Sequence, residues 1–143
     1  MRKRIVIPRL IPKALAVVAI SSQNAGATEG IEYFETHVRP LLINHCYECH
    51  SADAKKLKAN LYLDSRAGWQ TGGDSGPALV PGKPDESLLI EVVSHLNSDL
   101  QMPPDEKLSD DNIEKLRTWI TMGAPDPREG IVKKSRSKID LEK

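Results

Sequence analysis

Two cysteines, Cys46 and Cys49, stand three positions apart in the segment Asn44-His45-Cys46-Tyr47-Glu48-Cys49-His50, and a histidine directly follows the second. On an incipient helix, residues at this spacing project to one side. Two thiols so placed can each add across one vinyl group of a haem. The imidazole of His50 then lies under the ring, where a neutral nitrogen can bind the iron. Cys-x-x-Cys-His is the attachment signature of a covalent haem c. Other chemistry could use the same residues. A structural zinc site wants four Cys or His ligands, and beyond this segment the chain offers only His37 and His95, with no second cysteine pair. A thiol–disulfide exchange centre could use Cys46 and Cys49, but the surrounding sequence lacks the βαβ pattern in which thioredoxin-like motifs sit. A plain disulfide between the two is the remaining alternative.

Electron-transfer haems commonly pair the histidine with a second axial ligand, Met or His. The methionines are Met1, Met102 and Met122. Met102 lies in Leu100-Gln101-Met102-Pro103-Pro104, downstream of His50, and the two prolines stiffen the backbone around it. Met122, at a helix end, is expected to pack. His95 is the rival ligand, but Val92 and Leu96 beside it mark a helix flank. His45 is too near the attachment site to reach the opposite face of the ring. Met102 is therefore the expected second ligand. Arg66 and Trp69 carry a guanidinium and an indole N–H that could bond the haem propionates. The plainer roles for them are a surface Arg and a loop-packing Trp. Lys55, Lys56 and Lys58 could rim the exposed haem edge, or simply form a solvated face.

Helices must position these residues. From Glu29 to His45, apolar Ile31, Phe34, Val38, Leu41 and Leu42 recur at helical spacing, and Pro40 predicts a disturbed last turn leading into Cys46. The Gly- and Pro-rich stretch from Lys55 to Pro84 predicts a long structured loop. A second helix is expected from about Asp85 to Leu96, with Pro84 at its start and Leu88, Leu89, Val92, Val93 and Leu96 on one face. A third begins at Ser109, a good N-cap with Asp110 and Asp111 behind it, and ends at Gly123 before Pro125 and Pro127. Ile113, Leu116 and Ile120 form its buried stripe, with Trp119 at the edge. Phe34 and Trp119 are candidates for the contact between the first and last helices. No strand pattern exceeds a few residues, so the expected fold is all-α with long loops.

The 143 residues suit one ordinary domain, and 39% apolar with 4% aromatic residues is a thin supply for a core that a large apolar cofactor could supplement. Charge is uneven. Five basic and no acidic residues precede Glu29; residues 28–127 carry nine Lys and Arg against seventeen Asp and Glu, a net −8; residues 128–143 carry six against three, a net +3. So acidic a body excludes a phosphate-backbone binder, and nucleic acid is not an expected partner. A basic redox partner protein would be steered in more readily than an acidic one. The start reads as an export signal: basic Arg2-Lys3-Arg4, an apolar stretch from Ala14 to Ile20, and small Ala25-Gly26-Ala27, with Pro8, Arg9, Pro12 and Lys13 as interruptions. Residues 1–27 are then a signal peptide, 28–127 the domain, and 128–143 a basic tail expected to be mobile. The protein would be exported, periplasmic or otherwise extracytoplasmic. The tail's charge gives only a weak reason for membrane contact, because stable anchoring needs two signals.

Taken in order, several stretches resemble the planctomycete-type cytochrome c domain, a class I-like c-type cytochrome. They are Phe34–Leu42 (FETHVRPLL), Cys46–Ser51 (CYECHS), Leu61–Arg66 (LYLDSR), Gly72–Ile90 (GGDSGPALVPGKPDESLLI), Met102–Pro104 (MPP) and Leu108–Pro127 (LSDDNIEKLRTWITMGAPDP). Together they span about Ile31 to Pro127. The resemblance implies a cytochrome c-like fold, about three main helices and long loops wrapped around one haem c. It implies Cys46 and Cys49 as attachment points and His50 and Met102 as axial ligands; six-coordination would leave no place for a substrate, so an electron carrier and not a catalyst is expected. Proteins with this domain usually continue into large additional domains, so a stand-alone carrier and a module of a larger protein are both consistent with the resemblance. Two further functions stay open on the residues themselves. One is a haem catalyst of peroxidase type with Met102 displaced; the other is a haem-free exported thiol or binding domain.

Overall fold

The computed structural model describes residues 23–129, so the expected signal segment lies outside the described residues up to Gln23, and the tail lies outside them beyond Glu129. Helix α1 (Gln23–Tyr33) runs into a π-helical turn (Phe34–Val38) and on into α2 (Arg39–His45). The predicted disturbance is present, but it falls before Pro40 and the helix continues past it. Pro40 has no N–H, and in a regular α-helix its ring would strike the carbonyl four residues back, that of Thr36. The wider π turn relieves this, with the Arg39 N–H bonding the Phe34 carbonyl five residues earlier.

The loop after Cys46–His50 holds an unexpected helix, α3 (Arg66–Thr71). Ser65 caps it, its Oγ accepting from the Gly68 N–H at 3.1 Å. Farther on, a 3₁₀ turn (Pro84–Glu86) precedes α4 (Leu88–Val93). The single helix expected over 85–96 is thus split and shorter. Buried Ser87 makes the break: its backbone is extended, its Oγ donates to the Lys83 carbonyl at 2.8 Å and accepts from the Val80 N–H at 2.9 Å. A hydroxyl bonded to the neighbouring backbone competes with helix continuation. His95 then adopts φ 55°, which ends the segment before Leu96.

Helix α5 (Asp110–Thr121) starts where the sequence predicts, with Ser109 Oγ accepting from the Asn112 N–H at 3.3 Å. Gly123, at φ 92°, turns the chain out of it. Trp119 is not at the edge of the buried stripe: it is 1% exposed, and its indole donates to the Pro125 carbonyl at 2.9 Å. Met122, expected to pack, is exposed instead. The core gathers Phe34, Val38 and Leu42 from the first helix with Leu116, Trp119 and Ile120 from α5. The Phe34 and Trp119 rings lie 5.5 Å apart, and Trp69 meets Trp119 edge-on at 6.1 Å. Gly30 lets Pro125 approach α1, since a Cβ there would lie 2.5 Å from the proline ring. Among the described residues the one strand-like pairing is an isolated bridge between Gly73 and Gly76.

Arg128, which the sequence reading assigned to the mobile tail, belongs to the folded body. Its guanidinium is 8% exposed and forks onto fully buried Asp126, Nε to Oδ1 at 2.9 Å and Nη2 to Oδ2 at 2.6 Å. Its backbone carbonyl accepts from the Arg66 N–H.

Candidate haem site

The first helix delivers the segment Cys46–His50. Beyond α2 the chain tightens, with the Cys46 N–H on the Leu42 carbonyl and the Cys49 and His50 N–H groups on the Cys46 carbonyl at 3.2 and 2.9 Å. This turn brings Cys46, Cys49 and His50 to one cavity of about 470 Å³, within the range of roughly 300–1,000 Å³ for ligand pockets. Ala59, Leu61 and Leu63 form a second part of its wall, and Gly73, Gly76 and Ala78 a third. Leu88, Leu89, Val92 and Val93 of α4 supply a fourth, Leu100 and Met102 to Asp105 a fifth, and His45 and Glu48 reach its edge beside the cysteines. Met102 is fastened to α4 by its N–H, which donates to the Val92 carbonyl at 3.0 Å, and the Met102–Pro103 peptide is cis.

Both thiols are free. Burial pushes the Cys46 thiol up to about 12, the opposite of the lowered value that an exchange thiol needs. His50 is buried, and its Nδ1 has no hydrogen-bond partner. Burial also lowers the imidazole's pKa. The carbonyls of Leu61 and Lys58 partly offset this, though neither completes a hydrogen bond to Nδ1. The ring is therefore held neutral, the form that binds a metal. A mostly apolar cavity, two thiols on one turn, a buried imidazole and a thioether on a separate loop are the donor set that a covalent haem needs. The residues present fit the group.

Other expected contacts fall elsewhere. Trp69 is buried, but its indole donates to Asp126 Oδ2 at 3.0 Å, and Arg66 is exposed; neither lines the cavity. Lys58 does line it, while Lys55 and Lys56 border a separate surface depression with Lys58 and Asp64. His95 is turned to the Pro103 carbonyl, its Nε2 at 3.2 Å, and His37 packs against Tyr33. Sequence reasoning assigned no role to the polar cavity residues Glu48, Ser75 and Asp105, although Glu48 and Ser75 fall within the stretches that carry the resemblance.

Residues 46–106 match the model of the family described as planctomycete cytochrome C. No curated protein and no solved structure matches the chain. The matched stretch runs from Cys46 through Met102 and contains every lining residue of the cavity except His45, while α1, α2 and α5 lie outside it. Residues 46–106 are thus similar to planctomycete cytochrome C, a likeness that points to haem c binding and electron transfer.

Proposed function

We propose that this chain carries one haem c, bonded through Cys46 and Cys49 with His50 and Met102 as axial ligands. It moves single electrons as a carrier or as the electron-accepting module of a larger extracytoplasmic redox system. The observation that carries this reading is the convergence of the attachment turn and Met102 on one mostly apolar cavity. When bound, the haem supplies an iron that cycles between ferric and ferrous states.

The residues' work is to hold and tune it. His50 presents a neutral nitrogen, and the turn Cys46–His50 fixes where that buried ring lies. Met102, tied to α4 by its backbone, offers a soft sulfur. A thioether and an apolar wall both favour ferrous iron, so the potential exceeds that of a bis-His site. With both positions filled no place is left for a substrate, and the domain acts as a carrier, not a catalyst. Export follows from the basic and apolar pattern of residues 1–27. Among the described residues no helix is long and apolar enough to cross a membrane.

The test is expression with a cytochrome c maturation system. Haem should remain on the denatured chain through acid–acetone extraction, and replacing Cys46 and Cys49 by Ala should abolish that. The reduced protein should be low-spin, the oxidised protein should show a weak methionine–iron charge-transfer band, and Met102→Ala should remove that band and turn the haem high-spin or raise its affinity for added ligands. An unchanged spectrum in that variant rejects Met102. High-spin ferric haem in the parent would instead favour a catalyst with an open position.

A further inference from the structure

The turn that bears the cysteines is held from outside the family-matched segment. Tyr47, between Cys46 and Cys49, receives a hydrogen bond on its phenolic oxygen from Nη1 of Arg128, eighty-one positions away in sequence. The same Nη1 donates to the Leu63 carbonyl at 2.9 Å. Leu63 lines the cavity, and its own N–H donates to the His50 carbonyl at 2.8 Å. One guanidinium therefore ties the attachment turn to the wall segment that holds the backbone of His50. Asp126 fixes the guanidinium in turn, and the Phe34 ring lies 4.7 Å beneath it. A planar fork reaching acceptors on three residues from a buried position is a task for Arg that Lys cannot repeat.

We propose that Arg128 is a positioning residue for the haem site: through Tyr47 and Leu63 it holds the Cys46–His50 turn in the conformation that takes up haem and keeps His50 on the iron. This rests on the proposed haem reading, to which it adds a group well beyond the matched segment. A buried ion pair serving stability alone would leave the site's properties untouched. Groups that orient a metal ligand typically change affinity or activity about 10–100-fold when removed.

The test compares Tyr47→Phe, Arg128→Lys and Arg128→Met with Ile120→Val, a destabilised core control in α5. The full chain is matured with haem in each case. Three quantities are read: the fraction of chain with extraction-resistant haem, the midpoint potential of the holoprotein, and hydrogen exchange at the Cys49 and His50 amides. Tyr47→Phe removes one hydroxyl and keeps the Arg128–Asp126 pair, so its fold should survive. It should nonetheless lower the haem fraction, shift the potential and speed exchange at those two amides. Arg128→Lys, which keeps a charge opposite Asp126, should show the same losses, and Arg128→Met larger ones. Ile120→Val should show none of them. If Tyr47→Phe matches the parent in all three readouts, or if changes across the set follow thermal stability alone, the positioning role is overturned while the haem reading stands. A parent that takes up no haem overturns both.

Discussion

Asp126 is the residue whose protonation should be most visible. Burial would raise its carboxyl, but the fork of Arg128 and the Trp69 N–H outweigh that and hold it below its ordinary value of 3.8. A depressed folded value means that the carboxylate contributes stability above the unfolded value, and that this is lost as pH falls through the folded one. At neutral pH, Asp126→Asn leaves a buried guanidinium without its counter-charge and should cost about 3–5 kcal/mol in urea denaturation. That gap between parent and variant should narrow as pH drops below 3.8, because protonation removes the same charge from the parent. A gap that stays constant down to strong acid would show that the charge is not what holds the pair.

At the scale of elements, two serines decide where helices begin and break. Ser109 is an ordinary exposed N-cap, and Ser109→Ala should lower stability by about 1 kcal/mol without altering the haem spectrum. Ser87 is different, because it is buried and its hydroxyl bonds the Val80 N–H and the Lys83 carbonyl, tying the start of α4 to the segment before the 3₁₀ turn. Ser87→Ala leaves the Val80 N–H without its partner, while the Lys83 carbonyl keeps the Glu86 N–H, at a cost of about 1–3 kcal/mol. Since α4 supplies a cavity wall and anchors Met102, this variant should also broaden or weaken the methionine–iron band. Denaturation and optical spectra of the two variants side by side check the distinction. A spectrum as unmoved in Ser87→Ala as in Ser109→Ala would separate α4 from the setting of Met102.

For the whole molecule, charge is the property that reaches beyond the surface. Residues 28–127 carry a net −8, so encounter with a basic redox protein should be fast at low ionic strength and slow steeply as salt rises. Stopped-flow electron transfer to a basic and to an acidic acceptor, across a salt series, measures this. Opposite salt slopes are expected for the two. Equal slopes would remove electrostatic steering from the account.

Much of this was legible in the sequence because it is local. The spacing of Cys46, Cys49 and His50, the N-cap at Ser109, the turn-out at Gly123 and the stiff Met102-Pro103-Pro104 each depend on a few neighbouring residues and ordinary stereochemistry. The helix break at Ser87 was hidden because Asp85 to Leu96 has a continuous apolar stripe, and stripes do not report a hydroxyl that prefers the backbone of Val80 and Lys83. The capped helix at Arg66–Thr71 was masked by the glycines and prolines around it. Only the tertiary structure decided that Trp69 bonds Asp126, fifty-seven positions away, that Trp119 lies at the centre of the core, and that Arg128 closes over Tyr47. A polar side chain near the end of a chain carries no periodicity. Its partner is set by how α5 returns against the first helix, and that return is the outcome of packing Phe34, Trp119 and their neighbours, not of any pattern within reach of residue 128.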